Sequence, residues 1–202
     1  VKGTYLPEYK NIFDLYLKDS TTEPTQLSSK TGDDATSEFS LGEAVFYQNG
    51  TWAWTDLQKN GMKAESIGML PIYTGVKGEE NQGLATGSEN YWCINSKASD
   101  ADKQATKDFL KWVVTSKTGI ESLSSAMGFT TPFKSFSDVK SDNPLVQAAV
   151  EDQNSDKTAV SWNFTMMPSE EWKNQLGSAL LEYAQGTGDW DAVKTAFVDG
   201  WK

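Results

Sequence analysis

The sequence predicts a helix-rich α/β fold, a few-stranded sheet flanked by helices. Three observations predict it. Apolar residues recur at helical spacing in several well-capped stretches of the second half. Residues 36–59 read as helix end, strand, turn and helix in immediate succession. Only three or four strand-like segments are visible along the whole chain, so helix should exceed strand.

Taken in order, Tyr9, Ile12, Phe13, Tyr16 and Leu17 form the first helical stripe. Asp19 to Asp34 are rich in Ser, Thr, Asp and Gly and predict an exposed loop. Thr36 to Gly42 close a short helix. Glu43 to Asn49 alternate as a strand, with Ala44, Phe46 and Gln48 on one face and Val45 and Tyr47 on the other. Asn49-Gly50 turns the chain, and Thr51 to Lys59 form the next helix. Tyr73 to Ser88 predict a polar, Gly-rich loop.

The clearest helix is Asp100 to Lys117, with Ala105, Phe109, Trp112 and Val113 as its stripe. Thr118 and Glu121 fit a capping box for the segment after it. Asp142-Asn143-Pro144 supplies a cap and a first-turn proline for a helix over Leu145 to Glu151. Pro168 opens a long helix carrying Trp172, Leu176, Ala179, Leu180 and Tyr183 on one face, and Gly186-Thr187-Gly188 ends it. Asp189 caps the last helix, whose stripe is Ala192, Val193, Ala196 and Phe197.

With 202 residues the chain fits a single domain with a sizeable core. Its net charge is −10, and all 18 cations are Lys; Arg and His are absent. An acidic, Arg-free chain is a poor nucleic-acid binder. It also lacks the guanidinium fork that usually grips a buried carboxylate or phosphate, so a neutral ligand is expected. Without His, no His-based triad is possible. The adjacent pairs Glu170-Glu171 and Asp33-Asp34 are explained by a solvated face or a helix start. Asp152 to Asp156 lack the Gly and terminal Glu of a calcium loop. No metal, cofactor or catalytic residue is assigned. The single Cys93, in the apolar run YWCI, is expected to be a buried small hydrophobe. Trp92 beside it is expected in the core.

The run from Phe39 to Trp54 carries Phe39, Gly42, Ala44, Val45, Asn49, Gly50, Trp52, Ala53 and Trp54. This pattern resembles the second lobe of extracellular (family 1) solute-binding proteins of carbohydrate ABC importers, such as the maltose and maltodextrin-binding proteins. The resemblance extends to Ile67–Pro71 and Tyr91–Ser96, which match family strands. It also covers Ala105 to Gly119, the turn Met127 to Pro132 and the final helix pair. It implies one lobe of a type II periplasmic-binding-protein-like fold. Val1-Lys2-Gly3 does not look like a natural start, so residues 1–202 are expected to be the C-terminal lobe of a longer protein, the N-terminal lobe absent.

The implied function is capture of a neutral mono- or oligosaccharide between two lobes and delivery to the permease subunits of the importer. The implied location is extracytoplasmic, on a bacterial membrane as a lipoprotein. The isolated lobe could self-associate through its exposed inter-lobe face. The alternative is a carbohydrate-active enzyme or its non-catalytic sugar-binding module.

A sugar presents flat C–H faces ringed by hydroxyls, so its site needs aromatic platforms beside short polar groups. Two residues on a helix differ by roughly 200°, so Trp52 and Trp54 cannot share a face. The resemblance assigns Trp52 to the ligand and leaves Trp54 for the core. Trp172 matches a second aromatic platform of the family, but also begins its own helix's apolar stripe. Trp162, with Phe164, is the other candidate wall. Thr86 to Asn90 match a small-residue segment where the main chain approaches the sugar, which makes Gly87, Ser88 and Glu89 candidates; an ordinary polar turn explains them equally. Thr130 or Thr131 could reach the cleft rim, although a helix C-cap turn at Gly128 explains Met127 to Pro132 better.

Overall fold

The structure, a computed structural model, describes residues 1–87, 91–127, 129, 131 and 133–201. It bears out the helix-rich α/β class. Eight α-helices are described: α1 (Leu6–Lys18), α2 (Gly32–Ser40), α3 (Trp54–Lys59), α4 (Asp100–Thr115), α5 (Lys117–Glu121), α6 (Pro144–Gln153), α7 (Glu170–Ala184) and α8 (Trp190–Asp199). Two strands, β1 (Gln82–Thr86) and β2 (Thr158–Ser161), form a small parallel sheet. A parallel pair needs a long crossover, and α4 to α6 supply it.

The chain divides into two compact units. The first holds residues 1–47, 71–82 and 163–202; the second holds 48–70 and 83–162.

In the first unit, α7 packs on α8. Ser169 caps α7 by accepting the Trp172 N–H, so this helix starts two residues after the proline. Asp189 caps α8 by accepting the Ala192 N–H. Val193 is fully buried, with Leu6 and Trp172 close to it in burial. The same unit holds an aromatic group. Phe13 and Tyr9 of α1 meet Trp190, Phe13 also meets Tyr183, and the Tyr183 hydroxyl donates to Asp14 at 2.7 Å. The predicted loop over 19–34 is more ordered than its composition suggests. It contains a 3-10 segment, Pro24–Ser29, and the start of α2, where Thr31 and Asp34 form a reciprocal capping box.

In the second unit, Ala53, Trp54, Leu57 and Leu145 are buried. Val113, Leu123 and Phe136 form a core group, with Val114, Ile120 and Val139 against it. The cap of α5 is Ser116, accepting from Gly119 N–H, rather than Thr118. On α4 the buried face is turned by about one residue from the predicted stripe. Thr106, Leu110 and Val113 face inward, while Phe109 and Trp112 stack on each other outside at 5.9 Å. A helix with two adjacent apolar stripes leaves tertiary packing to choose between them.

The strands differ most from expectation. Glu43 to Asn49 form none, and Val45 and Phe46 are exposed. Ile67 to Pro71 and Tyr91 to Ser96 are also outside any ladder. Trp92 and Cys93 are therefore exposed rather than buried. Alternation marks a segment that could pair; a ladder also needs a partner edge.

Candidate functional site

Trp52 stands on a one-turn 3-10 segment, Thr51–Ala53, that leads directly into α3. The rotation argument holds in the structure. Trp52 is 54% exposed, whereas Trp54 is 6% exposed. Ala53 and Leu57 are buried with Trp54, so this short helix is anchored by the side opposite the Trp52 ring. The Trp52 six-membered ring folds back over Gly50. A Cβ on Gly50 would lie 2.3 Å from two of its carbons, so only glycine leaves room for the indole there.

Trp162 follows β2 and is half-buried. Its N–H donates to Thr86 C=O at 3.0 Å, extending the sheet by one more bond. Its ring meets Trp52 edge-on, with centroids 6.1 Å apart and planes at 62°. An edge-to-face pair fixes two indoles at an angle to each other, a favourable arrangement for their quadrupoles. Gly87 ends β1 with φ +153°, a conformation few L side chains adopt. A Cβ built on Gly87 would lie 3.6 Å from the Trp162 backbone nitrogen, so the two residues are neighbours. Trp52, Trp162 and Gly87 thus belong to one unit, with Trp52 and Gly87 both against Trp162.

Helix α6 borders this arrangement. The Asn143 side chain accepts from Leu145 and Val146 N–H as the helix cap, and its Nδ2 donates to Thr51 C=O at 2.8 Å. At the other end, Gln153 Nε2 donates to Thr86 Oγ1 at 3.2 Å. Asp152 Oδ1 accepts Leu84 N–H at 2.7 Å, and Oδ2 pairs with Lys157 at 2.9 Å. The Leu84 amide, and next the Lys157 ammonium, hold the Asp152 carboxyl below its ordinary pKa. An open hollow of about 300 Å³ beside Asp152 is lined by Met69, Leu84 and Lys157 among others, and by none of the predicted site residues.

The remaining predicted residues fall elsewhere. Trp172 is in the first unit and is 5% exposed. Its Nε1 donates to Phe197 C=O at 3.0 Å, and its ring meets Phe197 and Trp201 edge-on. The core alternative weighed for Trp172 describes this environment; little of the ring is left for a ligand. Ser88 and Glu89 lie outside the described residues, as does Thr130. Thr131 is half-buried with its hydroxyl unpartnered. Phe164, now in the first unit, is exposed. The sequence reading missed Asn143 and Gln153 as neighbours of the site. The Asn-Pro pair signalled a helix start, but nothing local signals where the amide nitrogen goes.

Among the described residues, no group of three or more His, Cys, Asp or Glu is placed to hold a metal ion. No described helix is long and apolar enough to cross a membrane. Comparison with curated proteins gives no match. Comparison with family models matches residues 4–153 to the bacterial extracellular solute-binding protein family. That span includes Trp52, Gly87 and helix α6, and the chain belongs to the bacterial extracellular solute-binding proteins.

Proposed function

We propose that residues 1–202 form the second lobe of a receptor that captures a neutral mono- or oligosaccharide for an ABC importer. The observation that carries this reading is the exposed Trp52 ring set edge-on to Trp162, beside the small Gly87. One ring offers a flat apolar face for a sugar; the other limits how far that sugar can slide. The absence of Arg and His from the sequence supports a neutral ligand over a uronic acid or sugar phosphate. The role is binding, with closure of two lobes excluding water from the ligand and the closed form docking on the permease. A lipoprotein anchor on the outer face of a bacterial membrane fits that role.

The test is titration calorimetry of the two-lobed protein against neutral and acidic oligosaccharides. Trp52→Ala should weaken binding of the preferred neutral sugar by about 1–3 kcal/mol, through lost stacking and apolar burial. Unchanged affinity, or preference for an acidic sugar held by Lys side chains of these residues, overturns the reading.

A further inference from the structure

We propose that helix α6 is a strut whose two ends position the two indoles, with Asn143 and Gln153 as its positioning residues. The proposal rests on the reading that Trp52 and Trp162 form the ligand face. Its geometry is independent of any ligand.

The first end is Asn143. A helix cap needs only the side-chain oxygen, and here that oxygen is used on Leu145 and Val146 N–H. The amide nitrogen is spent on something else, the carbonyl of Thr51, the residue immediately before Trp52. That bond spans 92 positions of sequence and joins the helix start to the turn that carries the platform.

The second end is the last turn. Gln153 holds the Thr86 hydroxyl, and Asp152 holds the Leu84 amide. Thr86 is also the residue whose carbonyl receives the Trp162 N–H. Gln153 thus reaches through Thr86 to the backbone of the second indole. It reaches equally to Gly87, the next residue. A ten-residue helix is about 15 Å long and stiff, so its two grips set the separation of two loops that share no neighbouring sequence. The edge-to-face angle of the rings follows from that separation and not from either loop alone.

A stability measurement would not separate positioning from ordinary packing, but the indole pair supplies its own signal. Two close, non-parallel indoles couple, giving a paired positive and negative band in far-ultraviolet circular dichroism. The part belonging to Trp52 and Trp162 is the difference between the full-length protein and its Trp162→Phe variant.

Two substitutions release the strut's ends. Asn143→Asp keeps a capping oxygen and removes the amide donor to Thr51. Gln153→Met keeps length and removes the donor to Thr86. Each should reduce the couplet by more than half while helix content is retained. In the Trp162→Phe background neither should change the spectrum further. A couplet of unchanged amplitude in both variants overturns the proposal. So does an equal spectral change in the Trp162→Phe background. Sugar titration of the same variants tests the reading beneath it separately. A lost couplet with unchanged sugar affinity removes the indoles from the sugar site and leaves α6 as their strut.

Discussion

Trp52 and Trp172 occupy the same kind of local position, the first turn of a helical segment, and have opposite surroundings. Trp172 is enclosed. Its indole N–H is bonded to Phe197 C=O, and Gly200 leaves a gap into which its five-membered ring fits, 1.9 Å from where a Cβ would be. Trp52 rests on Gly50 and one other indole, with more than half its surface open. The helix start orients a tryptophan; whether a second helix closes over its ring, as α8 does through Phe197 on Trp172, decides whether it becomes core. Both rings use a glycine as a seat. For Trp172 the glycine is Gly200, the residue that ends α8, and it closes a socket. For Trp52 it comes from two residues back and only tilts the ring.

The contrast predicts its largest effect at the enclosed ring. Trp172→Ala should destabilise the chain by roughly 3–5 kcal/mol, the range for deleting a buried aromatic. Chemical denaturation reads this directly. Trp52→Ala should change the same measurement by less than about 1 kcal/mol, because most of that ring is already in water. Similar losses at both sites would dissolve the distinction.

Gly50→Ala sharpens the comparison at the open ring. The Gly50 backbone is extended, φ −125° and ψ −177°, which alanine adopts freely. The three atoms nearest the added methyl all belong to the indole, which would have to move. The Trp52–Trp162 coupling should fall while the denaturation midpoint hardly moves. A large loss of stability instead would mean that the Trp52 ring is part of the second unit's core.

The smallest effect is expected with pH. The Asp152 carboxyl is held below its ordinary value by the Leu84 amide first and Lys157 second. A depressed carboxylate stabilises the folded state fully above its unfolded pKa, about 4 for aspartate. That contribution fades as pH falls below this value and is gone beneath the lowered folded pKa. Amide exchange at Leu84 should therefore be flat from neutral pH down to about 4, after correction for intrinsic rates, and quicken below it. Asp152→Asn keeps an acceptor for Leu84 and should remove this dependence.

These contrasts show where the sequence was readable. Caps are local chemistry, so Asn143-Pro144 and Asp189 marked their helices, and the 200° rotation separated Trp52 from Trp54. Strands are pairings, and pairing is not local. Glu43 to Asn49 alternate well yet lie outside any ladder, while the polar QGLAT of β1 and the four residues of β2 find each other across the α4–α6 crossover. Trp172 satisfied both a ligand pattern and a core pattern, and only the position of α8 separates them. The approach of Trp162 to Trp52, 110 positions apart, leaves no trace in spacing.

Cys93 is the chain's single thiol and lies exposed in the second unit. A thiol-reactive fluorophore would therefore attach at one defined place without any engineering of the chain. This suits a protein with eight tryptophans, whose intrinsic emission averages over enclosed and open rings alike. A dye on Cys93 reports from one location and at wavelengths that none of those indoles contaminate. The same exposure sets a handling rule. These residues hold no second cysteine for Cys93 to pair with, so air oxidation of residues 1–202 can join two copies through it, and a reductant belongs in any preparation of them used to measure association state.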